Sequence, residues 1–127
     1  MAQKITIEQL GEILIERLLC ISNLKSVYIG KTKNIQSAEV RHSPNYDGTI
    51  PIAIGNTVVI SKGEDYLIKV LKERLPKSIA IDNSKEGSAG NPKANMLYVS
   101  LDIAYKTIAE LDDDDLFDEI FELVKSL

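Results

Sequence analysis

Tryptophan is absent from the 127-residue chain, which also has one cysteine, one histidine and no long apolar run. Each scarcity removes a class of protein. A lone Cys20 forms no intrachain disulfide, so a disulfide-stapled scaffold is excluded and a reducing, cytoplasmic setting is expected. Cys20 lies in a helical apolar pattern, where a buried small hydrophobe is expected rather than a nucleophile. His42 has no second histidine and no usable thiol to share a zinc ion with. No stretch approaches the roughly 18 apolar residues of a membrane-spanning helix, so no membrane partner is expected. Glu8 and Glu12 break the N-terminal segment where a secretory leader needs an unbroken apolar core.

What remains is the composition of a globular chain, 44% hydrophobic and 27% charged, which is enough apolar material for one core. At this length a single domain over residues 1–127 is expected, burying roughly two thirds of its unfolded surface. The net charge of -4 is unevenly spread. Residues 25–93 carry 11 Lys/Arg against 7 Asp/Glu, whereas residues 94–127 carry 2 against 9. A cationic middle favours a phosphate-bearing ligand and an acidic end repels one.

Apolar periodicity supplies the elements. Leu10, Ile13, Leu14, Arg17 and Leu18 recur at helical spacing, with Thr6 and Gln9 as a capping box and Ser22-Asn23 as the stop. Residues 26–31 read as a strand, and Asn34 as the cap of a short helix ending near Arg41 and His42. The stretch SPNYDGT is a loop, with Tyr46 as an anchor. Residues 50–54 read as a strand, 58–60 as its possible continuation after a Gly55-Asn56 turn, and 61–75 as a helix stopped by Pro76. A small strand at 78–81 and a long loop at 82–95 precede a strand at 96–101. Residues 102–110 either extend that strand or start a helix. Leu116, Phe117, Ile120, Phe121 and Val124 form the stripe of a last helix, and the Asp112 to Asp115 run suits its positive N-terminal end. That acidic extension, 94–127, either closes the core or offers a face to a protein partner or a second copy.

The residues able to do chemistry come in a definite order. Tyr28-Ile29-Gly30 is followed by Lys31-Thr32-Lys33-Asn34, by Arg41-His42, by Glu64 on a helix, and by Asn83 ahead of a Gly-rich loop. This order resembles the GIY-YIG endonuclease family across residues 26–91, most specifically in YIGKTKN. The resemblance implies an α+β fold, a small antiparallel sheet flanked by helices, here with added helices at both ends. It implies phosphodiester cleavage with Mg2+ or Mn2+ held by Glu64, Tyr28 near the base, Arg41 and His42 as the trailing pair, and Asn83 as a positioning residue. Gly30, Lys31 and Lys33 would border the ligand, DNA or a nucleotide.

Two positions depart from the family pattern. Leu18-Leu19-Cys20-Ile21 stands where the first Gly-Ile-Tyr motif belongs, and Ala38 occupies the place of the family arginine, one helical turn before Arg41. A replacement is available if the strand at 96–101 becomes a sheet edge beside residues 27–30, with Tyr98 in the place of the missing tyrosine. The departures favour a weakly catalytic or non-catalytic relative that binds nucleic acid, a nucleotide or a protein, with an active metal-dependent endonuclease as the alternative.

Most of these residues also have an ordinary structural role. Glu64 is the fourth residue of Ser61-Lys62-Gly63-Glu64, the spacing at which a glutamate bonds the backbone N–H of a capping serine. Tyr28 fits a strand face, Gly30 fits any close approach, and Lys31 and Lys33 fit a solvated surface. Gly87-Ser88-Ala89-Gly90-Asn91 offers backbone N–H groups to a phosphate but lacks the Lys-Ser/Thr ending of a P-loop.

Overall fold

The computed structural model describes residues 6–21, 23–83 and 93–103. Helix α1, Ile7–Leu19, starts on the expected capping box: Gln9 N–H donates to Thr6 Oγ1, and Thr6 N–H donates to the Gln9 side chain. Leu10, Leu14, Ile15 and Leu18 are buried, each removing apolar surface worth about 2 kcal/mol. The helix closes at Cys20 rather than at Ser22, and Asn23 turns the chain at a φ of 62°, a region that Asn tolerates. Cys20 is exposed, against the expectation of a buried thiol, because it caps the helix beyond the last buried position.

Strand β1, Leu24–Thr32, leads to helix α2, Ile35–His42, where Asn34 Oδ1 accepts the N–H groups of Gln36 and Ser37. Strand β2, Gly48–Ile54, begins two residues before the expected start. Its Pro51 is tolerated because β2 is an outer strand of the sheet, and the ladder shifts register just after it.

Helix α3, Thr57–Arg74, contradicts the reading of residues 58–60 as strand. Asn56 caps it by accepting the Val59 N–H at 2.9 Å, and Ile60, Gly63, Glu64, Leu67, Ile68 and Leu71 are buried at helical spacing. A cap and a core-facing stripe thus outweigh the β preference of Val-Val-Ile. The expected Ser61–Glu64 capping box does not form, since both residues lie inside the helix.

The short β3, Ala80–Ile81, pairs parallel to β1, so the sheet is mixed rather than wholly antiparallel. Strand β4, Met96–Ile103, takes the extension option at residues 102–103 and runs antiparallel to both β1 and β2. The strand order is β2-β4-β1-β3, so β4 is an interior strand and not the edge that its sequence position suggested. Its continuous burial from Leu97 to Leu101 follows from neighbours on both sides.

The helices α1 and α3 cover one face, and their buried side chains join Val27, Ile29, Ile50, Leu97, Val99 and Leu101 in one core cluster. Helix α3 approaches the sheet closely at Gly63, where a Cβ would stand 3.0 Å from Leu97 Cδ1 and 3.2 Å from Ile7 Cδ1. Among the described residues no helix is long and apolar enough to cross a membrane. The expected C-terminal helix, its Asp run and the Gly-rich segment with Asn91 lie outside the described residues.

Candidate active site

The β1–β4 register aligns Gly30 with Tyr98 and Tyr28 with Ser100. One cleft of about 390 Å3 opens over this part of the sheet, bordered by the end of β1, one face of α2 and the second turn of α3. Tyr28, Tyr98, Arg41, Glu64, Lys31 and Lys33 all line it. Chain segments 70 residues apart are thereby brought to one hollow.

Gly30 is required by its neighbour. A Cβ built there would fall 2.7 Å from Tyr98 Cε2 and nearer still to Cζ and Oη, so the hydroxyl end of the ring lies over the glycine. Tyr98 is consequently buried, and its hydroxyl is held at the cleft by two groups of α2. Arg41 Nη2 donates to Tyr98 Oη at 3.2 Å, and His42 Nε2 lies 2.9 Å from the same oxygen. Tyr28 stacks loosely on Tyr98 at 6.3 Å and packs on His42 at 4.8 Å.

The position of Arg41 explains the departure at Ala38. Ala38 is fully buried where α2 meets the sheet, so an arginine there would enter the core. Asn34, Ser37 and Arg41 recur at i, i+3 and i+7 and line the cleft from one face of α2. Ser37 was not singled out in the sequence, and Asn34 only as a helix cap and the end of the YIGKTKN stretch, although this helical spacing from Arg41 was a signal that could have placed both at the cleft.

Glu64 borders the cleft from α3, 1% exposed, with its Oε1 unpartnered among the described residues. Burial pushes its carboxyl up to about 7; Lys31 pulls it back and Asp65 adds to the rise. Lys31 Nζ donates to Ser61 Oγ at 2.9 Å, which seats the ammonium beside the Glu64 turn. Ser61 therefore serves the cleft instead of capping a helix.

Burial lowers the pKa of His42, and the Arg41 charge lowers it further. The imidazole is therefore neutral at pH 7, with a ring nitrogen able to accept a proton. Burial raises Tyr98, against the lowering effect of the Arg41 bond, and likewise raises Tyr28, with Glu64 adding to the rise. Both phenols stay protonated in the resting site.

Asn83 stands apart from this cleft. Its Oδ1 accepts the Ile29 N–H at 2.9 Å and its Nδ2 donates to the Ile29 carbonyl at 2.7 Å, so the amide continues the edge pairing where β3 stops. Its side chain is buried and committed to the backbone, which does not fit the ligand-positioning role that the resemblance implied.

A divalent cation fits the donor chemistry only in a sparse form. Glu64 offers one buried, unpartnered carboxylate oxygen, and no group of three His, Cys, Asp or Glu side chains converges among the described residues. Mg2+ accepts such a site by taking its other positions from water and phosphate. No protein-family model, curated protein or solved structure matches the chain.

Proposed function

We propose that the cleft hydrolyses phosphodiester bonds of nucleic acid, as a divergent GIY-YIG-like nuclease dependent on Mg2+ or Mn2+. The observation that carries this reading is the orphaned Glu64 carboxylate in one cleft with Arg41 and Tyr98, whose hydroxyl is backed by His42 from outside the lining. Active chemistry is preferred to a binding-only role because Tyr98 and Arg41 border the same hollow as Tyr28, supplying the two groups that the linear sequence lacks.

The residues suit distinct roles. Arg41, Lys31 and Lys33 present positive charge to the phosphate oxygens, where charge builds as the phosphorus is attacked. Neutral His42 accepts the Tyr98 proton as Tyr98 Oη takes one from the attacking water, so two protons shift together and the net transfer is one proton from water to His42. The new bond joins that water oxygen to phosphorus, the opposite P–O bond breaks, and the departing oxygen takes a proton from solvent. A hard cation on Glu64 supplies further charge to the phosphoryl oxygens when bound.

Incubating plasmid with the protein and Mn2+, with Glu64→Ala as the control, tests the reading. Cutting by the parent and not by the variant supports it. Cutting that survives the substitution removes Glu64 from the mechanism. No cutting, with salt-sensitive DNA binding, turns the cleft into a binding site built on Lys31, Lys33 and Arg41.

A further inference from the structure

His42 is held on more than one side. Its Nε2 meets Tyr98 Oη, its ring packs on Tyr28, and a third aromatic meets it edge-on: Tyr46, from the turn after α2, at 5.5 Å and 77°. Tyr46 is itself tied down. Its hydroxyl donates to Asp82 Oδ2 at 2.8 Å, and the Asp82 backbone N–H donates to the Val27 carbonyl at 2.9 Å, which roots the carboxylate on β1. The Tyr46 ring also lies 6.3 Å from Tyr28. Neither Tyr46 nor Asp82 borders the cleft, so neither can touch a substrate there.

We propose that Tyr46, anchored on Asp82, is a positioning residue that braces the His42 ring so that Nε2 stays on the Tyr98 hydroxyl. Imidazole rotates easily about its side-chain bonds, and α2 ends at His42, where the backbone alone constrains the ring least. An edge-on aromatic contact fixes the ring plane only if the aromatic is fixed in turn, and the Asp82 bond does that. The brace reaches the cleft only through His42 and Tyr98. It deepens the hydrolytic reading, since a fixed acceptor nitrogen keeps the Tyr98 proton pointed away from Arg41 and its oxygen lone pair toward the guanidinium.

The groups facing His42 are Arg41 on its own helix, Tyr28 on β1, Tyr98 on β4 and Tyr46 on the turn, with Asp82 behind Tyr46. His42 is the only histidine in the chain, so every imidazole resonance of the folded protein belongs to it. Ring nitrogen NMR on the full chain therefore reports its tautomer and titration without a substrate or a metal. The parent should show a fixed tautomer with an unprotonated Nε2 and a midpoint below the ordinary histidine value.

Tyr46→Phe keeps the ring and removes the Asp82 bond. The expected result is a midpoint that moves up toward the ordinary value and tautomers that average. Asp82→Ala should do the same, whereas Asp82→Asn, which keeps an acceptor oxygen, should restore the parent spectrum. Unchanged titration and tautomer in both Tyr46→Phe and Asp82→Ala overturn the proposal; so does failure of Asp82→Asn to rescue, because the brace is then not the hydrogen bond. If Tyr46→Phe does not fold, Asp82→Ala decides alone. With an active parent, kcat should fall about tenfold in Tyr46→Phe at unchanged KM. A parent that cuts nothing overturns the hydrolytic reading and leaves the nitrogen spectra to decide the brace.

Discussion

Gly30 and Tyr98 face each other across the β1–β4 ladder, and the phenol ring of Tyr98 fills the space in which any side chain on residue 30 would begin. The tyrosine ring thus lies low enough on the sheet for its hydroxyl to meet both Arg41 and His42. A small residue and a catalytic candidate are one steric unit.

Gly30→Ala should therefore lift the ring, break the pair of bonds at Tyr98 Oη and destabilise the fold by about 1–3 kcal/mol through overpacking. In a Tyr98→Ala background the same change should cost much less. Urea midpoints for the four members of this cycle measure the coupling. Equal costs in both backgrounds would show that the ring is not what the alanine meets.

Tyr98→Phe keeps the ring carbons Cζ and Cε2 over Gly30 and removes only the oxygen. The fold should hold, with plasmid cutting reduced by about 10²–10⁴-fold, the usual contribution of a positioned proton acceptor. Full activity in this variant would assign the proton transfer to Tyr28 or to His42 directly.

Glu64 has a folded pKa of about 7, above the usual carboxylate value of 4.5, because it is buried. The native state holds this proton more tightly than the unfolded chain, so the stabilisation is complete below pH 4.5 and is lost as pH rises to 7. Its size is on the order of 3 kcal/mol. Glu64→Gln should flatten the fall in stability between pH 4.5 and 7. Above pH 7, Mg2+ should raise the melting temperature of the parent and leave that of the variant unmoved.

Asn83 is expected to matter for the sheet and not for the cleft. Asn83→Ala strands the N–H and C=O of Ile29 and should cost about 1–3 kcal/mol in denaturant unfolding. Cutting per folded molecule should stay at the parental level. A selective loss of activity at unchanged stability would restore the ligand role that its place in the sequence implied.

Lys33 is exposed at the rim of the cleft. Lys33→Ala should weaken DNA binding without sequence preference and reduce the salt slope of the affinity by about one unit, as for one lost phosphate contact. An unchanged slope would place the DNA elsewhere.

Local chemistry was legible where it is self-contained. Thr6 with Gln9, and Asn34 with its two N–H partners, form the caps that the sequence spells out, because a cap needs only neighbours three residues away. Two errors came from reading local preference where tertiary burial decides. Val58 to Ile60 looks like strand, yet Asn56 and the stripe continuing to Leu71 make it helix. Once α3 starts at Thr57, Glu64 loses its free N–H partner and becomes a buried acid, which no local spacing reveals. The placement of Tyr98 beside residues 27–30 was inferable from the want of a strand, but not its interior position, because strand order depends on contacts across the whole chain. Tyr46 was readable as a loop anchor. What it is anchored to, Asp82, lies 36 residues on.

The insertion of β4 between β1 and β2 has a temporal side. A nascent chain that stops at Asn95 already contains Tyr28, Arg41, His42 and Glu64, yet its two long strands have nothing to join them. The last described segment is thus the keystone: synthesis finishes nearly every reactive group before it supplies the piece that lets them meet. The hollow therefore exists only once β4 has been made, however early its other residues were joined to the chain.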